Sequence, residues 1–308
     1  MRFLSHHRQR TLPRATAFFL ALLFTGLAHA RPNMTPLGPN IADKGSALYH
    51  FTINTFDSAD GQRHYKVWTA VPNKKPPAAG YPVLWTLDGN AVMNHLSDKL
   101  LSELSAGTPP VIVAVGYQTN LPFDVYARAW DYTPPVAGGD SMTVHGRKGG
   151  GDAAFQALIE NTLAPVAEKG IPLNTAHRAI WGHSLGGIFA LDTYYRSPFF
   201  SRIYATSPSL SQNYISLVTR LKTADAGRLS GKQLLVIEGS WPASRNPQVP
   251  EPASIEGIRS VLAGLSARGL PARLVQYPTL SHGEMFSVGL ELALRDVAGV
   301  STAAGGEK

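Results

Sequence analysis

Gly182-His183-Ser184-Leu185-Gly186 is the stretch on which the fold turns, because of what lies on either side of it. Before it, His177-Arg178-Ala179-Ile180-Trp181 closes on apolar residues and predicts a buried strand that stops at a glycine. After it, Gly187 to Tyr195 sets small and apolar residues at helical spacing. Strand, G-x-S-x-G, helix is the setting of a tight turn that holds its serine strained, with Oγ raised clear of the sheet edge. The flanking glycines leave room where helix and strand cross. The helix N-terminus beneath the serine favours developing negative charge. The bare motif says little in a chain with 29 glycines, so its flanks carry the reading.

A serine hydroxyl is a poor nucleophile at neutral pH and needs an imidazole within hydrogen-bond reach. His282 stands in Pro278-Thr279-Leu280-Ser281-His282-Gly283-Glu284. Ala272 to Tyr277 before it reads as a late strand, and Glu284 to Ala298 after it as a closing helix. Alone, a loop histidine is a solvated side chain. Following the last strand of a chain that contains the serine turn, it reads as the general base.

The first thirty residues are set aside as a leader. Arg2, Arg8, Arg10 and Arg14 make a basic start, Ala15 to Leu27 an apolar core, and Ala28-His29-Ala30 a small-x-small cleavage signal. This pattern predicts a secretory signal peptide cut after Ala30; an uncleaved anchor is the alternative. Residues 31–308 are then read as a single catalytic domain, ample for a large core. Without the four leader arginines the formal charge of +7 falls to about +3, so the basic pI is no sign of nucleic acid binding. No basic block with interleaved aromatics appears later. Zero cysteines exclude disulfides, thiolate catalysis and cysteine-ligated metals. An exported chain without cysteine suits a bacterial periplasm. No stable membrane association is expected unless the leader is retained.

Along the rest, Tyr49 to Phe56 and Tyr65 to Val71 read as an antiparallel hairpin around Ser58-Ala59-Asp60-Gly61. Pro82 to Leu87 and Val111 to Gly116 are continuous apolar runs, the mark of strands covered on both faces. Further strands are expected at Ile203 to Ser207 and Leu234 to Gly239. Helices are expected at Ala91 to Leu104, Ala153 to Lys169 and Ser254 to Arg268. Gln118 to Gly151 is the longest irregular region, and a loop of that length in a compact domain is usually functional. The alternation predicts a mostly parallel sheet with helices on both faces and an antiparallel N-terminal hairpin.

Acyl transfer also needs two backbone N–H groups aimed at the developing oxyanion. One is expected from Leu185, after the nucleophile; the other from Asp88-Gly89-Asn90, as the N–H of Gly89 or Asn90. The plain reading of that turn is a helix entry capped by Asp88 or Asn90. The third triad member is not evident. No carboxylate stands in Ser240-Trp241-Pro242-Ala243-Ser244, while Glu238, Glu251 and Glu256 lie nearby in sequence. Glu238 is the candidate acid, and a Ser–His dyad is an equal reading.

Leu84 to Ala91, with Leu87-Asp88-Gly89-Asn90-Ala91 at its heart, resembles a signature of the "putative esterase" family of α/β-hydrolases. Arg128-Ala129-Trp130-Asp131-Tyr132-Thr133-Pro134 resembles its R-x-x-D-Y-T-P segment, and Gly150 to Phe155 its helix entry. Gly182 to Gly187, Ser207-Pro208-Ser209 and Ser281-His282-Gly283 resemble further signatures, in the same order. The combination resembles periplasmic siderophore esterases that cleave enterobactin- and salmochelin-type trilactones. The resemblance implies an α/β-hydrolase fold, Ser184 as nucleophile, His282 as base, and activity with a dyad in some members. It also implies that Arg128 helps hold an anionic ferric catecholate; an ion pair with Asp131 is the plain alternative. Iron would arrive with the substrate, so no cofactor and no protein metal site are expected. One departure stands out: Ser211-Gln212-Asn213-Tyr214 replaces the tryptophan pair that often follows Ser-Pro-Ser-Leu.

These observations predict an exported serine esterase acting on a small-molecule ester, with a ferric catecholate trilactone preferred. The alternatives are a general carboxylesterase or thioesterase and a siderophore-binding protein without turnover.

Overall fold

The computed structural model describes residues 33–135, 146–208, 210, 214–239 and 253–301. The expected signal peptide lies outside the described residues. Among the described residues, eight strands form one sheet in the order β1-β2-β4-β3-β5-β6-β7-β8. β1 (Tyr49–Asp57) and β2 (His64–Pro72) make the expected hairpin, with Ile53 opposite Trp68. β2 also runs antiparallel to β4 (Val111–Tyr117). From there on β3 (Tyr81–Thr86), β5 (Leu173–His183), β6 (Arg202–Thr206), β7 (Gln233–Gly239) and β8 (Ala272–Tyr277) are parallel to their neighbours.

The apolar runs do what their pattern dictates. β3 and β4 are buried at every position, because helices cover both faces. Alternate residues go to opposite cores: Val83, Trp85, Val113 and Ile180 to one, Leu84, Ile112 and Trp181 to the other. On the second face lie α1 (Ile41–Lys44), α2 (Gly89–His95), α3 (Asp98–Leu104) and α11 (Met285–Ala298). The first face is covered by α4 (Ala127–Tyr132), α5 (Asp152–Leu158), α6 (Ala164–Ala167) and α7 (Leu185–Arg196), with α8 (Ile215–Thr223), α9 (Ala226–Leu229) and α10 (Ala253–Ser266) beyond them.

Three of the expected regions take another form. The single helix over Ala91 to Leu104 is two, because Leu96 turns extended and the Ser97 hydroxyl then caps the second by accepting the Leu100 N–H at 3.3 Å. The helix over Ala153 to Lys169 contains a π turn at Ile159–Leu163, just before Pro165, whose ring would clash with the preceding carbonyls of a tight α-helix. The irregular region contains α4, whose contribution is to the site.

Candidate active site

In chain order β3 is followed by β4 on one side and β5 on the other. The crevice beyond their carboxyl ends is therefore a topological switch point, where open α/β sheets bind ligands. Asp88-Gly89-Asn90 leaves β3 there, and Ser184 leaves β5 beside it.

Ser184 has φ 60° and ψ −115°, a backbone that L-residues avoid. The strain is held from both sides: the Ser184 N–H donates to the Thr206 carbonyl at 3.0 Å, and its carbonyl accepts the Ile188 N–H at 3.1 Å. The flanking glycines are not equivalent, contrary to the symmetrical role expected of them. A Cβ at Gly182 would run into the Gly186 carbonyl. A Cβ at Gly186 would meet only ordinary contacts, the nearest being Leu87 at 3.4 Å. Gly187, outside the five-residue motif, is tight as well, with the Thr206 carbonyl 2.9 Å from a Cβ placed there. Leu185, Gly186 and Gly187 open α7, and the N–H groups of a first turn have no intrahelical acceptor.

The β3 turn is the second strained point. Asp88 is left-handed, at φ 55° and ψ 45°, and makes no side-chain cap bond. The capping reading of Asp88 and Asn90 is thus corrected, since both side chains are engaged elsewhere. The Asn90 amide receives the Tyr117 N–H at 2.8 Å and donates to the Tyr117 and Thr119 carbonyls at 3.0 and 2.9 Å. Gly89 sits so close to β4 that a Cβ would lie 2.7 Å from the Gly116 nitrogen. Gly89 and Asn90 are the first residues of α2, with their N–H groups at its open end.

Asp88 pairs with Arg128 through two bonds of 2.8 Å, from Nε to Oδ1 and from Nη2 to Oδ2. The ion pair of Arg128 with Asp131 is therefore corrected. Asp131 turns into a different pocket, where Arg63 lies at 3.1 Å and the Tyr117 and Tyr65 hydroxyls donate at 2.9 and 3.1 Å. Burial pushes its carboxyl up to about 7 against the pull of those partners. Tyr132 accepts the Asp88 N–H at 3.1 Å. Arg128, Asp131 and Tyr132 thus all brace the β3 turn, directly or through Tyr117. Arg128 lies at the site with two of its nitrogens on Asp88, its guanidinium 5.4 Å from both the Phe123 and Tyr132 ring centres.

His282 follows β8 and lies half-buried beside the elbow. Its ring centre is 4.7 Å from that of His183, the residue before Ser184. The turn that carries it is closed by Glu284, which accepts the Ser281 N–H at 2.8 Å. The structure thus brings Ser184, Leu185, His282 and the Gly89-Asn90 turn to one place. Glu238 goes elsewhere. It shares a face of β7 with Leu234 and Val236, whereas Gly239 faces Leu280 and Met285, at the start of the helix that follows His282. Burial pushes its carboxyl up to about 8, with Ser207 close by, so it is neutral where a triad acid must be charged. Glu256 is exposed on α10, and Glu251 lies outside the described residues, as do Ser211 to Asn213. Tyr214 is fully buried in the first core.

Ser207, at φ 40°, is the third non-glycine residue with positive φ among the described residues. Asp88, Ser184 and Ser207 follow the ends of β3, β5 and β6, which are neighbours in the sheet. Such strain concentrates at functional sites. The G-x-S-x-G pattern marks Ser184, but no residue-level signal marks Asp88 or Ser207, whose conformations are imposed by packing from other strands.

The strained serine, the adjacent imidazole and the open helix ends at a switch point define a serine hydrolase of the α/β-hydrolase fold. The chain belongs to the "Putative esterase" family, whose model matches residues 58–251. It is 45% identical to the apo-salmochelin esterase of Escherichia coli O6:H1, over 94% of this chain and 93% of that protein. It is 30% identical to the ferri-bacillibactin esterase BesA of Bacillus subtilis, over 79% of this chain and 88% of that protein. Among solved structures, the enterobactin hydrolase IroE in complex with DFP superposes with a TM-score of 0.77 at 46% identity, over 85% of this chain and all of that one.

Proposed function

We propose that this protein hydrolyses the ester bonds of a catecholate siderophore trilactone through an acyl-enzyme at Ser184. The observation that carries this reading is the strained Ser184 beside His282, in a chain 45% identical over nearly its whole length to an apo-salmochelin esterase. Ser184 Oγ attacks the ester carbonyl while His282 takes its proton. The N–H of Leu185 and one from Gly89 or Asn90 receive the oxyanion. The carbon–oxygen bond to the alkoxy group breaks, and His282 passes the proton to the leaving alcohol. Water then attacks the acyl group with His282 again as base, releasing the acid and restoring Ser184. His282 and Ser184 are the acting pair in this reading, and Glu238, whose carboxyl burial pushes up to about 8, is a poor third member.

Aromatic side chains and cations around α4, the helix that carries Arg128, favour a catechol-bearing substrate. Tyr126 is 74% exposed, with Arg147 5.6 Å from its ring centre, and Lys148 lies 4.9 Å from the ring of Trp130. Aromatic faces and cations suit electron-rich rings that become anionic when they bind iron. One relative is named for the apo form of its siderophore and another for the ferric form, so the metal state is for experiment to read. We propose export to the periplasm on the strength of the leader pattern alone.

The test is hydrolysis of apo and ferric enterobactin by the mature protein beside its Ser184→Ala variant, with products separated by chromatography. Serine-dependent release of linear trimer, dimer or monomer is the expected result. Activity on simple acyl esters alone would leave a general carboxylesterase, and no activity on any ester would leave a binding protein.

A further inference from the structure

We infer that His183, the variable second residue of the G-x-S-x-G turn, is a positioning residue that sets the catalytic base against the nucleophile. The inference rests on the reading of Ser184 and His282 as nucleophile and base. His183 Nε2 lies 2.8 Å from the backbone carbonyl oxygen of His282. A carbonyl oxygen only accepts, so Nε2 carries the hydrogen and donates it. The bond therefore runs from the residue immediately before the nucleophile to the base residue's own main chain. No longer path separates the two catalytic groups, so little positional error accumulates between them.

The surroundings hold His183 in that role. Its side chain is 7% exposed and lies on the face of β5 that carries Trp181. Phe286 meets it edge-on with ring centres 5.6 Å apart, and Phe286 in turn packs edge-on against Trp181 at 5.2 Å. The imidazole is thus wedged from below and has its Nε2 aimed at the loop above. Burial, with His282 and Arg128 nearby, keeps it well below the usual histidine range and hence neutral, as a single-tautomer donor must be. At its other end the His183 carbonyl accepts Arg128 Nη2 at 3.4 Å, and Arg128 grips Asp88. His183 consequently joins the oxyanion turn, the elbow and the base loop in one line of contacts.

The loop needs such a pin. Ser281, Gly283 and Glu284 around the base are exposed, and burial holds the Glu238 carboxyl toward its neutral form. A base must stand within hydrogen-bond reach of the hydroxyl it deprotonates, and misplacement by about 1 Å can cost about a hundredfold in rate.

The experiment compares His183→Leu with His183→Gln on a small neutral p-nitrophenyl ester, which does not depend on the siderophore assignment. Rates are normalised by titration of reactive serine, and melting temperatures are recorded in parallel. His183→Leu is expected to lower kcat by about ten- to a hundredfold with KM within about twofold. Gln places an N–H near the Nε2 position and is expected to recover most of that loss. Wild-type kcat per reactive serine in His183→Leu would overturn the inference. So would equal losses in both variants that follow the folded fraction. Ser184→Ala and His282→Ala serve as controls: full activity in either would overturn the dyad reading itself and this inference with it.

Discussion

The two sides of the active site are built differently. On the oxyanion side, the turn after β3 is gripped by a bidentate Arg128–Asp88 pair, a Tyr132 hydroxyl, and an Asn90 amide locked to β4. Every one of these groups is at least partly buried, and the strain at Asp88 is over-determined by them. On the base side, an exposed turn is closed by Glu284 and tied to the elbow through His183. The difference suits the chemistry proposed for each side. An oxyanion hole works by being preorganised, so its donors must not move as charge develops. A general base shuttles a proton between three oxygen atoms in the course of one turnover and needs some freedom to do so.

If this contrast holds, damage to the oxyanion side should cost stability, and damage to the base side chiefly rate. Arg128→Met is the sharpest probe. It leaves Asp88, a fully buried carboxylate, without its counter-charge, and an orphaned buried partner costs about 3–5 kcal/mol. Chemical denaturation should show a loss of that size, and a loss under about 1 kcal/mol would mean that the turn is not braced as described. Arg128→Lys should rescue only in part, because an ammonium cannot replace the two-pronged contact.

The elbow makes a finer distinction. Gly182→Ala drives a Cβ into the Gly186 carbonyl, a backbone atom that cannot step aside, and should abolish activity or folding. Gly186→Ala meets only van der Waals contacts and should cost about 1 kcal/mol or less. Equal damage from the two would show that the motif's glycines act through backbone freedom rather than space.

Glu238→Gln tests the missing acid. Were Glu238 a triad member, kcat would fall by about ten-thousandfold. A neutral buried carboxyl predicts a loss of less than about tenfold. The stability of the same variant carries a sign. The folded carboxyl is raised from 4.5 to about 8, so the folded state holds its proton where the unfolded state has released it. This group's contribution to stability therefore falls as pH rises from 4.5 to about 8, and levels off above. Thermal melts across that window should show wild type losing ground to Glu238→Gln as pH increases. A gap that narrows instead would place a charged partner beside Glu238.

The smallest effect belongs to the base loop. Glu284→Ala removes the acceptor for the Ser281 N–H on an exposed turn and should cost no more than about 0.5 kcal/mol of stability. Its mark should be a lower kcat with little change in melting temperature.

Much of the architecture was legible without coordinates. β3 and β4 declared themselves as continuous apolar runs, β1 and β2 as a hairpin, and Ser184 and His282 through the elements on either side of them. α8 could also have been read, since Leu217, Val218 and Leu221 have the spacing of one helical face and are buried on it. Arg128, Asp131 and Tyr132 could be quoted as a segment, but their partners could not. Asp88 is 40 positions from Arg128, and Tyr65 is 66 from Asp131.

Local patterning by itself determined the fold class and the serine turn, and singled out His282 as the histidine to look at, because each of these is written in neighbours along the chain. The tertiary structure alone decided which glycine has no room for a Cβ, that Glu238 is buried with its carboxyl pushed up, and that His183 reaches the main chain of His282. Those outcomes depend on which strands lie side by side. A hydrogen bond or a desolvated carboxyl is a property of atoms a few ångströms apart, and the chain brings them together from positions that share no local pattern.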